Sequence, residues 1–346
     1  MIDSVQLIEQ LASTYSPSGF ENPAKELFRE IVSPYVDECY EDIHGNLICR
    51  KNNKAPKTLM LIAHIDEVGL MVNYIEDSGF IRFKAIGGID ISLLQGSSVV
   101  ILHGGEIIHG IIGSIPIHLK KSITNKDIEI SDLWIDIGAK CKEEAEQLVS
   151  IGDGISMESH LHPLNNNLLS CRATDDKSGL AVLANVLANV YSESLDFNIY
   201  VVASIQEEVG IRGAITSTYS INPDICIAID VTHATDYPSI NKAKFGDVKI
   251  NGGVVIPIGT DFSPKLQNKL KEIAIDHNIA FQTEARPGFS GTDIHAAQVS
   301  RGGCVTGLVS IPCRYMHSPN EIVSMADINS AVKLLTEFCK IKCKDV

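Results

Sequence analysis

Short, continuously apolar runs alternate along this chain with longer stretches of helical spacing. Leu59-Met60-Leu61-Ile62-Ala63, Tyr200-Val201-Val202-Ala203-Ser204-Ile205, Cys226-Ile227-Ala228-Ile229 and Gly307-Leu308-Val309-Ser310-Ile311 are too brief for helices and lack polar alternation. Such runs read as buried strands of a parallel sheet. Apolar residues recur at helical spacing over Ser4–Leu11, Pro23–Val32, Lys177–Tyr191, Pro264–His277 and Asp327–Lys342, the last with Asp327 as its expected cap. A strand pair is expected to turn through Gly45-Asn46. From about Gly69 to Met157 the texture changes: short β-type runs at 80–83, 98–102, 107–112 and 133–137 are broken by Gly87-Gly88, Gly104-Gly105 and Gly138. A short helix is expected at Lys142–Val149. The pattern implies one α/β domain, residues 1–68 and 165–346, interrupted by a compact antiparallel β-domain at 69–164.

Ionisable residues stand just past these apolar runs. In open α/β sheets ligands bind outside the carboxyl ends of the strands, so His64, Glu207-Glu208, Asp230 and His317 point to a site there. Residues two apart on a strand share a face, which lets Asp66 reach His64 and fix its tautomer for a metal. A strand-end histidine bonded to a local aspartate reads the same way. Asp175-Asp176 opens a helix, where carboxylates serve as caps or, with two free oxygens, bridge two cations. Glu207 and Glu208 follow a buried strand, so solubility does not explain them. Their side chains point apart, which suits one for metal binding and the other for proton transfer. Two histidines and three carboxylates fit Zn, Co or Mn, and the lack of cysteine ligands argues against a closed structural zinc site.

Composition narrows the partners. The 346 residues carry a formal net charge of −14, opposite to what a nucleic-acid surface needs. No apolar run approaches membrane-spanning length, and Met1-Ile2-Asp3-Ser4 does not open a signal peptide. Nine cysteines without a C-x-x-C pair suggest reduced thiols and a cytoplasmic location, with Cys339 and Cys343 as packing residues. No phosphate-binding glycine loop and no Gly-x-Ser-x-Gly elbow is present. His103, His109, His118, His160 and His162 read as surface or interface residues of the β-domain.

With these residues in hand, the chain resembles the tetrahedral, glutamyl-type aminopeptidases, a family of dinuclear-zinc metallopeptidases in which some members carry the label cellulase or endoglucanase. The resemblance runs through Ser16–Glu21, Ala63–Gly69, Thr174–Lys177, Gln206–Ala214, Asp230–His233, Ser290–Asp293 and Arg314–Pro319. It implies a mixed-sheet α/β/α domain with an inserted β-barrel-like dimerisation domain, and dimers assembling into a dodecamer. It implies two divalent metals per subunit, one on His64, Asp175 and Asp230, the other on Asp175, Glu208 and His317. Asp175 would bridge, Glu207 would be the general base toward a bridging water, Asp66 would hold His64, and the Asp175-Asp176 peptide would be cis. Substrates would be peptides with a free N-terminus. Two departures bear on assembly or substrate detail: Ile115-Pro116-Ile117-His118 replaces Lys-Pro-Pro-His, and Lys177 replaces arginine. The rivals are a glycoside hydrolase, disfavoured by 6% aromatic residues with one Trp, and a related two-metal carboxypeptidase or deacylase.

Overall fold

The computed structural model describes residues 2–52, 54–119 and 128–345. Its centre is an eight-stranded mixed sheet in the order Glu38–Glu41, Leu47–Lys51, Phe197–Ser204, Lys57–His64, Ile225–His233, Val305–Cys313, Val254–Val255, Phe281–Gln282. The four long central strands run parallel, and the flanking Leu47–Lys51 and Val254–Val255 strands join antiparallel. Both faces are buried, which explains the unbroken apolar runs. Leu59, Leu61 and Ala63 join one core while Met60 and Ile62 join another, the alternation a pleated strand imposes.

Helices Ser4–Ala12, Asn22–Val32, Thr174–Val190 and Met325–Lys340 contribute to the larger core, and Arg212–Ile221 and Ile294–Gln298 to the smaller. The result is an α/β/α sandwich. The last helix begins earlier than its periodicity suggests. Its cap is Ser324, whose hydroxyl accepts the Ala326 N–H. Asp327 is withdrawn into the interior, where its carboxylate accepts N–H groups of Asn251 and Gly253, each at 2.8 Å. Cys339 is buried on this helix and Cys343 packs against the same core just beyond it.

Between Gly69 and Met157 the chain forms a closed antiparallel barrel of six strands: Gly69–Ile75, Ile81–Ile86, Trp134–Asp136, Glu106–Gly113, Ser98–His103 and Gly154–Met157. It has its own core around Leu70, Phe83, Ile101 and Ile155. A three-stranded antiparallel sheet of His162–Leu164, Leu168–Cys171 and Glu321–Ser324 follows. Deeper coupling between barrel and sandwich comes from Glu67, whose buried carboxylate accepts from Ser156 in the barrel and from Arg172. The helix expected over 142–149 is shorter, Lys142–Ala145. One expectation about cysteines fails. Cys39 and Cys49 are disulfide-bonded, being direct cross-strand neighbours with Cα atoms 4.1 Å apart; the other seven are free thiols. Among the described residues no helix is long and apolar enough to cross a membrane.

Candidate metal centre

All the residues singled out at the strand ends converge on one side of the sheet. Ser204 lies in register with His64 on adjacent parallel strands, so the chain leaving Ser204 carries Glu207 and Glu208 past the imidazole. Asp230 does not end its strand, as the sequence suggested. Pairing with Val305–Cys313 continues through His233, so Asp230 lies within the Ile225–His233 strand, still beside the cluster. Asp175 sits at the start of the Thr174–Val190 helix, in a cis peptide with Asp176.

Two groups of donors result, and they share one residue. His64, Asp175 and Asp230 form the first; Asp175, Glu208 and His317 form the second, with the offered atoms of each group within 4.8 Å of one another. Asp175 turns one oxygen to His64 Nε2 at 3.0 Å and the other to His317 Nε2 at 3.3 Å. Glu208 Oε1 lies 3.4 Å from the same His317 nitrogen.

Each imidazole is held from behind by a backbone carbonyl: His64 Nδ1 by Asp66 at 3.1 Å, and His317 Nδ1 by Gly88 at 2.8 Å. A carbonyl accepts only, so Nδ1 carries the proton and Nε2 keeps a free lone pair turned into the cluster. The strand stops at His64, so Asp66 reaches the ring from the following turn and not from the strand face. Its carboxylate lies 3.5 Å from the same ring nitrogen and also accepts from Ser18 Oγ at 2.6 Å and from the backbone of Glu207 and Glu208.

The charge balance tests whether a cation belongs here. Burial pushes the Glu207 and Glu208 carboxyls up, and burial together with the Asp175 charge pushes Asp230 up to about 8. Among the described residues no lysine or arginine pairs with Asp175, Glu207, Glu208 or Asp230. Lys177, although buried, turns its ammonium to Ser16 and the Ile65 carbonyl. Converging imidazole and carboxylate donors, with no lysine or arginine among them in the described residues, fit divalent cations. Three residues at or next to the donors also hold the left-handed backbone region. Ala173, Gln206 and His317 are non-glycine residues with φ of 55°, 54° and 62°, a cost usually retained at functional sites.

Two contributors were not visible in the sequence. Glu321 is fully enclosed, and its carboxylate accepts N–H groups from both Asp175, at 2.9 Å, and His317, at 2.8 Å. Gly88, which the sequence marks only as a break between β-type runs, supplies the carbonyl behind His317. The contacts of Glu321 with Asp175 and of Gly88 with His317 span long sequence separations. The histidines at 103, 109, 118, 160 and 162 lie outside both donor groups.

The cluster opens into a cavity of about 480 Å³. A larger cavity, about 1000 Å³, lies over Ile43, Ile215, Tyr219 and Val299. It contains none of the converging donors, so size alone does not locate the chemistry.

Known proteins agree with this geometry. The chain is 37% identical to a putative aminopeptidase of Acetivibrio thermocellus over 97% of its length and 98% of that protein's. It is 32% identical to the lysyl aminopeptidase of Pyrococcus furiosus, over 95% of this chain and 94% of the other. The Pyrococcus horikoshii TET1 peptidase, described as able to assemble into a tetrahedron or a large octahedral shell, superposes with a TM-score of 0.89. It is 30% identical, with 98% of this chain and 99% of that one covered. Residues 45–334 match the family described as M42 glutamyl aminopeptidase, and the chain belongs to that family of metal-dependent aminopeptidases.

Proposed function

We propose that the two donor groups hold two divalent cations per subunit and that the protein hydrolyses the N-terminal bond of peptides. The observation carrying this reading is Asp175, whose two oxygens face two separate groups of ligands. His64, Asp175 and Asp230 would hold one ion and Asp175, Glu208 and His317 the other, with Zn the first choice and Co or Mn alternatives. Bound there, the cations would polarise the scissile carbonyl and ease deprotonation of the attacking water. Glu207 belongs to neither donor group, yet it lines the same cavity. It would take the proton from that water and return it to the leaving amine. Asp66 fixes the backbone of Glu207 and thereby the reach of its carboxyl. The acidic cluster also suits a free, cationic N-terminus, which favours an aminopeptidase over a carboxypeptidase.

The barrel, within 69–164, would be the dimerisation unit, with dimers building a dodecameric shell in the cytoplasm; the assembly described for the TET1 relative supports this. The test is hydrolysis of aminoacyl-p-nitroanilides beside their N-acetylated forms and carboxymethylcellulose. Chelated protein, Zn- or Co-restored protein and Glu207→Gln would be compared. Cation-dependent cleavage of free-amine substrates alone, abolished in Glu207→Gln, is expected. Turnover of cellulose or of blocked substrates would overturn the reading.

A further inference from the structure

The cavity beside the donor groups has a second wall, and its charges are spent on one another. Glu284 and Arg286 both face this space. Arg286 Nε donates to Glu284 Oε1 at 2.7 Å. The other two guanidinium nitrogens donate to the Ser290 carbonyl at 2.8 Å and to Thr232 Oγ1 at 2.6 Å. The second Glu284 oxygen accepts the Thr232 hydroxyl at 2.7 Å. Both side chains are only 16% exposed. The remaining titratable group of this wall is His233, held below its usual range by burial and then by Arg286.

The wall is also fixed in place. Ala285–Arg286 pairs with Ile258–Gly259 as a parallel strand. Ser290 N–H donates to Asp261 at 2.8 Å, and the Phe289 ring stands edge-on against His295 at 4.5 Å. Beside the paired charges the cavity is lined by the apolar Val231, Ala285, Pro287, Phe289 and Met316, together with the uncharged Ser290 and Thr292.

Resting on the aminopeptidase reading, we infer that this cavity receives the side chain of the substrate's first residue and selects uncharged, apolar side chains of leucine or methionine size. The amine and the scissile carbonyl of that residue share one Cα, and both are held at the acidic cluster. The side chain on that Cα therefore falls within the same cavity. A side-chain carboxylate or ammonium reaching the Glu284–Arg286 wall would lose water and find its counter-charge there already paired. An apolar side chain gains contact with Val231, Phe289 and Met316. The shared core does not dictate this choice: the family is described by glutamyl activity, while one relative is a lysyl aminopeptidase.

The experiment measures kcat/KM of the Zn- or Co-loaded protein on leucyl-, methionyl-, glutamyl- and lysyl-p-nitroanilide. The leucyl and methionyl substrates should exceed the other two by at least about tenfold, the discrimination expected when a charge enters an apolar pocket unpaired. Glu284→Gln leaves Arg286 uncancelled and should raise the glutamyl-to-leucyl ratio by about tenfold. Arg286→Met leaves Glu284 uncancelled and should raise the lysyl-to-leucyl ratio similarly. A wild-type preference for glutamyl or lysyl substrate, or ratios unmoved in both variants while both stay folded, overturns the inference. If either variant fails to fold, the wild-type ratios decide. Cleavage of none of the four substrates would instead remove the aminopeptidase reading itself.

Discussion

The Asp66 carboxylate accepts the backbone N–H of Glu207 at 3.0 Å and lies entirely out of solvent. Although burial opposes ionisation, contacts with His64 and Ser18 and the Glu207 N–H hold the carboxyl below its usual range. The residue thus joins two arms of the site that come from different strands, one ending at His64 and one at Ser204. Asp66→Asn keeps the volume but sets an NH₂ group against an N–H donor. A loss of about 10–100-fold in kcat/KM is expected, as for other residues that hold metal ligands in place. Steady-state kinetics at saturating cation, with circular dichroism to establish folding, checks it. Wild-type activity in a folded variant would show that the contact is dispensable.

Glu321 gathers Asp175 and His317 by their backbones, one from a helix start and one from a loop. Glu321→Gln removes one acceptor oxygen and presents a donor to an N–H. Cation affinity should fall by about 10–100-fold, read by calorimetric titration of chelated protein. An unchanged dissociation constant would place Glu321 outside the site's support.

Much of this arrangement could be read before folding because the chemistry sits where short apolar runs stop. His64 and Glu207-Glu208 are legible for that reason: a strand buried on both faces has no solubility use for a charge at its end. Periodicity was less informative about exact limits. Asp230 falls inside its strand because inter-strand pairing continues past it, which no single run reveals. Asp327 looks like a cap, yet long-range bonds to Asn251 and Gly253 claim it, and Ser324 takes the role. Cys39 and Cys49 become partners only once the hairpin places them opposite each other. Glu321 reaches the backbone of Asp175 and the Gly88 carbonyl reaches the His317 ring across long separations, and sequence spacing carries no mark of such contacts.

Gly87 brings the barrel against the site. It adopts φ of +73°, and a Cβ there would come within 3.2 Å of the Glu208 carbonyl and 3.1 Å of Val68. Gly96, at φ +84°, faces open space. Both alanine variants should lose about 1 kcal/mol of stability from the left-handed backbone alone. Only Gly87→Ala should also lower kcat/KM, because it crowds the segment carrying Glu208. Thermal unfolding of the pair beside their kinetics separates the two effects. Equal activity in both variants would break the link between the barrel loop and Glu208.

Asp327 provides a pH dependence far from the cations. Burial pushes its carboxyl up to about 6, against the N–H groups of Gly253 and Asn251, which pull it down. An unfolded aspartate titrates near 3.9, so the native state binds this proton more tightly. The contribution to stability is therefore fully present below about pH 3.9 and is lost as pH rises through about 6. Asp327→Asn cannot ionise and lacks this loss. Between pH 4.5 and 7.5 the wild type should lose up to about 2 kcal/mol relative to Asp327→Asn, the pH interval from 4.5 to about 6 at about 1.4 kcal/mol per unit. Urea unfolding of both proteins across that range, with chelator present to silence the metal centre, supplies the comparison. A difference that stays constant with pH, or that grows in favour of the wild type, would mean that the two N–H donors outweigh burial and hold Asp327 ionised throughout.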